Sequence, residues 1–233
     1  MTPRTPADTL ADAASALVRE HDTSDLLVRL VRDAATLAGG AAAGLLVRAS
    51  DAAHLELLAA TDHVATHLEV YQAQQHEGPC VDVCTTGRPV MAAEASEILS
   101  RWPVTGRAIL DAGFRRVQAY PLVWQGRMLG GLNIFGREEG TTDSESARMA
   151  HAYADMLTLV IAQPERAADG EIDDRLARVL RGRVTIEQAK GVLAQRLGVD
   201  MTRAYEVLLD KRDQDGTTLT KVAQQVITEA HQR

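Results

Sequence analysis

The sequence predicts an α+β domain followed by a smaller all-α module, and three observations support this division. Helical patterns and groups of strand patterns alternate over the first 163 residues, an order that favours a sheet with helices against it over a doubly wound parallel fold. Pro164 and Gly170 then interrupt a polar segment, which is typical of a linker. Every later pattern is helical. The predicted bounds are 6–163, 164–174 and 175–231.

Helical periodicity marks four long segments of the first domain. Apolar residues recur there at three- and four-residue steps, which indicates one buried face on each helix. Thr23 or Ser24 is expected to cap the second helix and Asp143 the last. The four segments are residues 6–21, 24–38, 63–75 and 143–163.

Strand patterns fall in two groups. Residues 41–49 and 54–60 are predicted to be strands, and residues 115–136 a hairpin with Gln125-Gly126 at its tip. Between the groups, turn residues occur at Gly78-Pro79 and Gly87, and a short strand follows Pro89. "RWPVTGRAILDAGF" is predicted to be one helix that ends at Gly113.

The charge is unevenly distributed along the chain. The net charge is −7, but residues from Glu171 onward hold 11 Lys/Arg against 10 Asp/Glu, and the rest of the chain carries −8. Bulk charge therefore does not draw this protein to nucleic acid, and any RNA surface must be local.

Cysteine usage and hydropathy indicate the compartment. Cys80 and Cys84 are too few for a disulfide framework and are predicted to be free thiols. The N-terminal "MTPRTPADTL" lacks the apolar core of a signal peptide, and no apolar run reaches the ~20 residues that span a bilayer. We expect a cytoplasmic protein without a membrane segment.

The stretch "GRVTIEQAKGVLAQRLGVD", residues 182–200, opens the helical module. Its apolar face is predicted to contain Val184, Ile186, Ala189, Leu193 and Leu197. Two further amphipathic segments follow, with Asp200 as the cap of one and Thr217 or Thr218 as the cap of the other. Three short amphipathic helices bury their faces most simply in a three-helix bundle.

"VTIEQAKGVL", "AYEVLL" and "LTKVAQQV" in this order resemble the ANTAR domain, an RNA-binding module of bacterial antitermination regulators. The resemblance implies recognition of paired RNA hairpins whose formation prevents a terminator stem. The residues assigned to the RNA surface are Arg183, Lys190, Gly191, Arg196, Lys211, Arg212 and Lys221.

Lys190 and Gly191 have two interpretations. In one, Lys190 is exposed and binds phosphate, while Gly191 lets an RNA backbone or another helix approach closely. In the other, Lys190 is an ordinary solvated charge and Gly191 relieves crowding in the bundle.

Departures from the ANTAR pattern support a second function class. Relatives commonly carry a basic residue where this chain has Leu209, and another where it has Thr218. Lost cations weaken phosphate contacts, and acids such as Asp213 repel phosphate. The alternative is therefore a dimeric signalling scaffold whose ANTAR-like module has lost RNA binding.

"EGPCVDVCTTGRPV", "RWP" and "AGFRRVQAYPLVWQGRMLGGLNIF" resemble a GAF domain. The resemblance implies an antiparallel sheet of five or six strands, helices on one face, a cavity for an unknown small ligand on the other, and dimerisation through terminal helices. The residues expected at the cavity are Cys80, Trp102, Tyr120, Leu122 and Asn133, each with packing as the alternative.

Other site chemistry is weak in this sequence. His76, Cys80 and Cys84 are four residues apart and His63 and His67 share one helix face, but neither set has the remaining ligands of a metal site. We find no Ser-His-Asp arrangement or phosphate loop, so we expect neither an enzyme, a cofactor nor a metal site.

Two apolar stripes predict a homodimer. Leu157, Val160 and Ile161 lie at the end of the first domain. A second stripe, formed by Ile172, Leu176, Val179 and Leu180, follows the linker. Such stripes on exposed helices usually find a partner, although both could pack within their own domains.

Overall fold

The computed structural model describes residues 6–18, 23–48, 54–162 and 172–231. The first domain is built on a five-stranded antiparallel sheet, in the order β2-β1-β5-β4-β3. The strands are β1 (Ala42–Arg48), β2 (Leu55–Ala60), β3 (Val90–Ala92), β4 (Arg116–Trp124) and β5 (Arg127–Gly136).

The hairpin of β4 and β5 forms as its sequence predicts. Gln125 and Gly126 connect the strands with φ of 49° and 82°. Two consecutive positive φ angles are typical of the tight turn whose twist matches antiparallel strands. This hairpin places β5 at the centre of the sheet, between β4 and β1.

Helices cover both faces of the sheet, rather than the one face that the GAF resemblance implied. One face carries α1 (Pro6–Val18), α2 (Thr23–Leu37) and α7 (Ser144–Ala162). The other carries α3 (His63–Gln75), α4 (Pro79–Thr86), α5 (Ala95–Arg101) and α6 (Thr105–Asp111). Asp143 caps α7 as predicted, because its Oδ1 accepts hydrogen bonds from the backbone N–H groups of Glu145 and Ser146 at 2.9 Å.

Two helix assignments differ from the sequence prediction. Gly78, with φ of 142°, leads directly into α4, because Pro79 occupies the first turn, where its missing N–H leaves no bond unmade. The helix expected from Arg101 to Gly113 is shorter: α5 ends at Arg101 and α6 begins only at Thr105, since Pro103 disfavours a helical backbone at Trp102, whose φ is −133° and ψ 80°.

The C-terminal module is a bundle of α8 (Ile172–Leu197), α9 (Met201–Asp215) and α10 (Leu219–His231). Helix α8 begins at Ile172, before the predicted end of the linker at residue 174, because residues 171–174 include neither Gly nor Pro. Asp200 caps α9 by accepting a 2.8 Å hydrogen bond from the N–H of Arg203, and Thr218 caps α10.

The apolar face of α8 is narrower than its sequence predicts. Ile186, Ala189 and Leu193 are buried in the bundle, whereas Val184 and Leu197 are about half exposed. Both exposed residues lie off the seam that faces α9 and α10. No helix in the described part of the chain is long and apolar enough to cross a membrane.

Candidate functional site

Lys190 is buried, so the expectation that it is exposed is wrong. Only 6% of its surface is accessible. Its Nζ donates to Oε1 and Oε2 of Glu187, one turn earlier on α8, at 2.9 and 3.0 Å. The same ammonium lies 5.3 Å from the ring centroid of Tyr205, on α9. The cation is therefore paired and stacked within the protein.

A cleft of about 70 Å³ separates Lys190 from the first domain. Its volume suits a few water molecules rather than a ligand of ordinary size, which needs roughly 300 Å³ or more. Arg183 also lines the cleft, and burial lowers the pKa of its guanidinium. Residues of α2, β2, α3, α8 and α9 form its walls: Ser24, Leu27, Val28, Leu58, Ala59, Ala60, Thr61, Asp62, His63, Thr66, Arg183, Ile186, Glu187, Lys190, Thr202 and Tyr205.

Helix α2 also reaches the bundle directly. Oδ2 of Asp25 accepts a 3.3 Å hydrogen bond from the backbone N–H of Leu219, the first residue of α10. Oδ1 of Asp25 lies 3.7 Å from Nη1 of Arg212. A Cβ added to Gly182 would lie 2.9 Å from Oγ of Ser24, so α8 and α2 are in close contact.

Gly191 is exposed, and a Cβ added to it would meet no heavy atom within 4 Å. Gly191 therefore relieves no crowding in the bundle, and no helix of the described chain approaches it. The interpretation that Gly191 relieves crowding is therefore wrong, and so is the interpretation that it admits another helix. Room for an approaching RNA backbone stays a prediction.

The other assigned cations differ in accessibility. Lys211 and Lys221 are exposed, while Arg212 is half-buried between Asp25 and Asp213. Arg196 lies 3.7 Å from Glu229. Leu209 packs against the bundle core, and Thr218 accepts a 3.3 Å hydrogen bond from the N–H of Lys221. Structural roles therefore account for both departures from the ANTAR pattern.

A buried polar cluster lies between α3 and the sheet. Nδ2 of Asn133 donates to both carboxyl oxygens of Glu69, at 2.9 and 2.8 Å, and Nε2 of Gln72 donates to Oε2 at 2.6 Å. Oε1 of Gln72 in turn accepts from the N–H of Cys80 at 3.1 Å. Burial raises the pKa of Glu69 to about 8, although the two amide hydrogen bonds oppose this shift.

Sequence reasoning missed Glu69 and Gln72, but a signal for them existed. The residues of α3 that face the sheet are Ala65, Leu68, Glu69 and Gln72, which recur at helical spacing. Two polar side chains on that stripe indicate a buried hydrogen-bonded pair. The sequence offers no comparable signal for Asp25 or Tyr205, because their contacts lie on other elements.

Comparison with known families agrees with this geometry. The GAF domain family matches residues 20–162, and the ANTAR domain family matches residues 174–227.

The chain belongs to the GAF domain family and also carries an ANTAR domain.

Solved structures resemble the GAF domain at low sequence identity. The GAF domain of a phosphoenolpyruvate-protein phosphotransferase from Acinetobacter is 16% identical with a TM-score of 0.56, and covers 69% of this chain and 95% of its own. The corresponding domain from Coxiella burnetii is 18% identical with a TM-score of 0.53, over 67% and 92%. The fRMsr of Staphylococcus aureus in its reduced form is 15% identical with a TM-score of 0.52, over 69% and 97%.

These likenesses show the fold of the GAF domain. A search of curated protein sequences finds no match.

The five predicted pocket residues do not surround one cavity. Cys80, Trp102 and Asn133 lie on the α3–α6 face of the GAF sheet, whereas Tyr120 and Leu122 pack under α2 and α7. Asn133 on β5 pairs with Ala119, the neighbour of Tyr120 on β4, and neighbouring residues of a strand point to opposite faces of the sheet. Nε1 of Trp102 donates to Oδ2 of Asp82 at 3.0 Å. All five side chains are buried, and none lines the cleft described above.

Protein side chains fill the GAF interior where the ligand cavity was expected. A Cβ added to Gly44 would overlap Glu69, and one added to Gly131 would lie 2.7 Å from Sγ of Cys80. A second small cavity, of about 120 Å³, lies beside α4 and includes Arg48, His76 and Cys84.

The two cysteines of the GAF domain are free thiols. They lie one turn apart on α4, and the hydrogen bond between them raises the pKa of Cys80 and lowers that of Cys84. Within the described ranges no group of three or more His, Cys, Asp or Glu residues could hold a metal ion.

The residues cited for a dimer lie in or against the GAF core wherever the structure describes their side chains. Leu157, Val160 and Ile161 are buried in the core of the GAF domain, and Leu180 packs against that core. The side chains of Ile172, Leu176 and Val179 lie outside the described residues. The first stripe therefore offers no exposed surface to a partner and does not support the expected homodimer.

Proposed function

We propose that the protein is a signal-responsive antitermination regulator of the cytoplasm, in which the ANTAR domain binds paired RNA hairpins in nascent transcripts and the GAF domain controls its access to them. The ANTAR match carries this proposal, since ANTAR domains bind RNA. GAF and ANTAR are both regulatory domain families, which favours a regulator over an enzyme.

Exposed cations of the ANTAR domain support RNA binding. Lys211 and Lys221 lie near the turn between α9 and α10, and both side chains are free to reach phosphate. RNA that folds into a hairpin presents phosphates and splayed loop bases, and basic side chains hold the phosphates. The proposed domains extend over residues 6–163 and 175–231. The proposed RNA surface consists of Arg183, Lys190, Gly191, Arg196, Lys211, Arg212 and Lys221.

The proposed signal of the GAF domain is a small ligand or a partner. GAF domains bind small ligands, but the filled interior around Glu69 favours a partner or a ligand that displaces side chains.

A homodimer is also proposed. Light scattering that shows a monomer at tens of micromolar protein would contradict the homodimer.

The test is RNA binding by the full chain. A panel of paired-hairpin RNAs is titrated with wild type, Lys211→Ala and Lys221→Ala at two salt concentrations. Each variant is expected to bind all hairpins more weakly and to flatten the dependence of log affinity on log salt by about one unit or slightly less. Arg107→Ala, an exposed cation on α6, is the matched control and should bind like wild type.

The scaffold alternative has its own supporting observation. Lys190 is neutralised by Glu187 and covered by Tyr205, so the cation at the centre of the motif does not face solvent. No binding of any hairpin at micromolar protein and low salt would reject the RNA function and favour a scaffold.

A further inference from the structure

Asp25 connects the two domains through Arg212, whose guanidinium it shares with Asp213 of the ANTAR domain. Its carboxylate lies 3.7 Å from the guanidinium of Arg212 and accepts the N–H of Leu219 at 3.3 Å. Only about a fifth of the Asp25 side chain is exposed, so the contact is partly shielded from solvent. The carboxylate belongs to the GAF domain, whereas both of its partners belong to the ANTAR domain.

The two partners form a site suited to an oxyanion. A guanidinium binds carboxylate and phosphate oxygens in the same way, and a free N–H at the start of a helix favours negative charge. Arg212 is one of the residues assigned to the RNA surface, and the exposed Lys221 follows Leu219 by two residues. A phosphate at this position would meet the groups that now hold Asp25.

The rest of the interface covers the same side of the ANTAR domain. Lys190 and Arg183 line the cleft against the GAF domain, and Gly182 touches Ser24 of α2. An RNA backbone cannot reach Lys190 while α2 and β2 lie over this cleft. The contact surface of the GAF domain therefore covers two groups of predicted RNA-binding residues: Arg183 and Lys190 at the cleft, and Arg212 beside Leu219.

We propose that Arg212 and the N–H of Leu219 form an RNA phosphate subsite that Asp25 occupies, so that the GAF domain competes with RNA for the ANTAR domain. This inference rests on the proposed RNA function. The described structure is then the closed form, and the signal acts by separating α2 from the bundle. The apparent affinity for RNA is then the intrinsic affinity of the open form multiplied by the fraction of molecules that are open.

The first test removes the competing charge in the full chain. Asp25→Asn keeps the shape of the side chain and weakens its interaction with Arg212. This variant should therefore bind RNA about fivefold to tenfold more tightly than wild type does. Asp111→Asn removes the same charge from an exposed position on α6, on the far face of the GAF sheet, and should bind like wild type. Circular dichroism establishes that both variants are folded.

The second test fixes the closed form without altering Asp25. A Cβ at position 182 lies 2.9 Å from Oγ of Ser24, so the two Cβ atoms are separated by no more than this distance plus one C–O bond, which is within reach of the roughly 4 Å of a disulfide. Ser24→Cys combined with Gly182→Cys should therefore form a disulfide on mild oxidation, visible as a mobility change on a non-reducing gel. The native Cys80 and Cys84 are buried, and each single variant controls for their reaction.

The oxidised double variant should bind RNA at least tenfold more weakly than its own reduced form. Equal binding by the two forms, together with wild-type affinity for Asp25→Asn, would overturn the competition and leave the RNA function intact. Failure of the disulfide to form would also overturn it, since the closed contact would not exist. No RNA binding by any variant, reduced or oxidised, would overturn the RNA function and the subsite together.

Discussion

The buried carboxyl of Glu69 makes the stability of the GAF domain depend on pH in a predictable direction. In the folded chain the pKa of Glu69 is about 8, against an ordinary value of 4.5. As pH rises above 4.5 the unfolded chain loses this proton, while the folded chain keeps it until about pH 8. The contribution of Glu69 to stability is therefore fully present below pH 4.5 and is lost as pH rises through 8.

The magnitude follows from the difference between the two pKa values. Each unit corresponds to about 1.4 kcal/mol, so the free energy of unfolding should fall by about 3 kcal/mol between roughly pH 5 and pH 7.5 on account of this one group. Glu69→Gln removes the titration and keeps the shape.

Urea denaturation of wild type and Glu69→Gln across this pH range measures the effect. The other titrating groups are common to both proteins, so the difference between the two free energies isolates Glu69. We expect the variant to gain on wild type as pH rises, by about 1.4 kcal/mol per pH unit. Glu138→Gln, at an exposed position, controls for the loss of a carboxyl group. Parallel curves for wild type and Glu69→Gln would refute the reasoning.

Glycine substitutions should change stability in opposite directions in the two domains. Gly191→Ala should raise the free energy of unfolding by up to about 1 kcal/mol, since alanine favours helix and its Cβ meets nothing. Gly106→Ala should lower it by about 1–3 kcal/mol, because the added Cβ would lie 2.7 Å from the backbone O of Ile98. Asp200→Ala should cost about 1 kcal/mol through loss of the cap of α9, with Asp210→Ala on the same helix as the control. Thermal melts of each variant measure these changes, and a stabilised Gly106→Ala or a destabilised Gly191→Ala would contradict them.

Local sequence determined most of the elements and their ends. The hairpin follows from Gln125-Gly126 between apolar runs, and the ends of α7 and α9 follow from Asp143 and Asp200. These features depend on a few consecutive residues, so a pattern is enough to predict them. Proline was harder to interpret, because Pro79 begins a helix while Pro103 interrupts one, and the difference depends on which backbone N–H groups need a partner.

Tertiary structure decided what the candidate sites can do. The sequence places Lys190 in an ANTAR motif, but only the packing of Tyr205 and the GAF domain over α8 buries it. It shows Asn133 on a strand and Glu69 on a helix, 64 residues apart, but only the packing of α3 on the sheet brings them into one hydrogen-bonded pair. The contact of Asp25 with Leu219 joins residues 194 positions apart. A sequence pattern records which side chains are available, whereas burial and pairing depend on which elements meet, and those set the charge state and accessibility of each group.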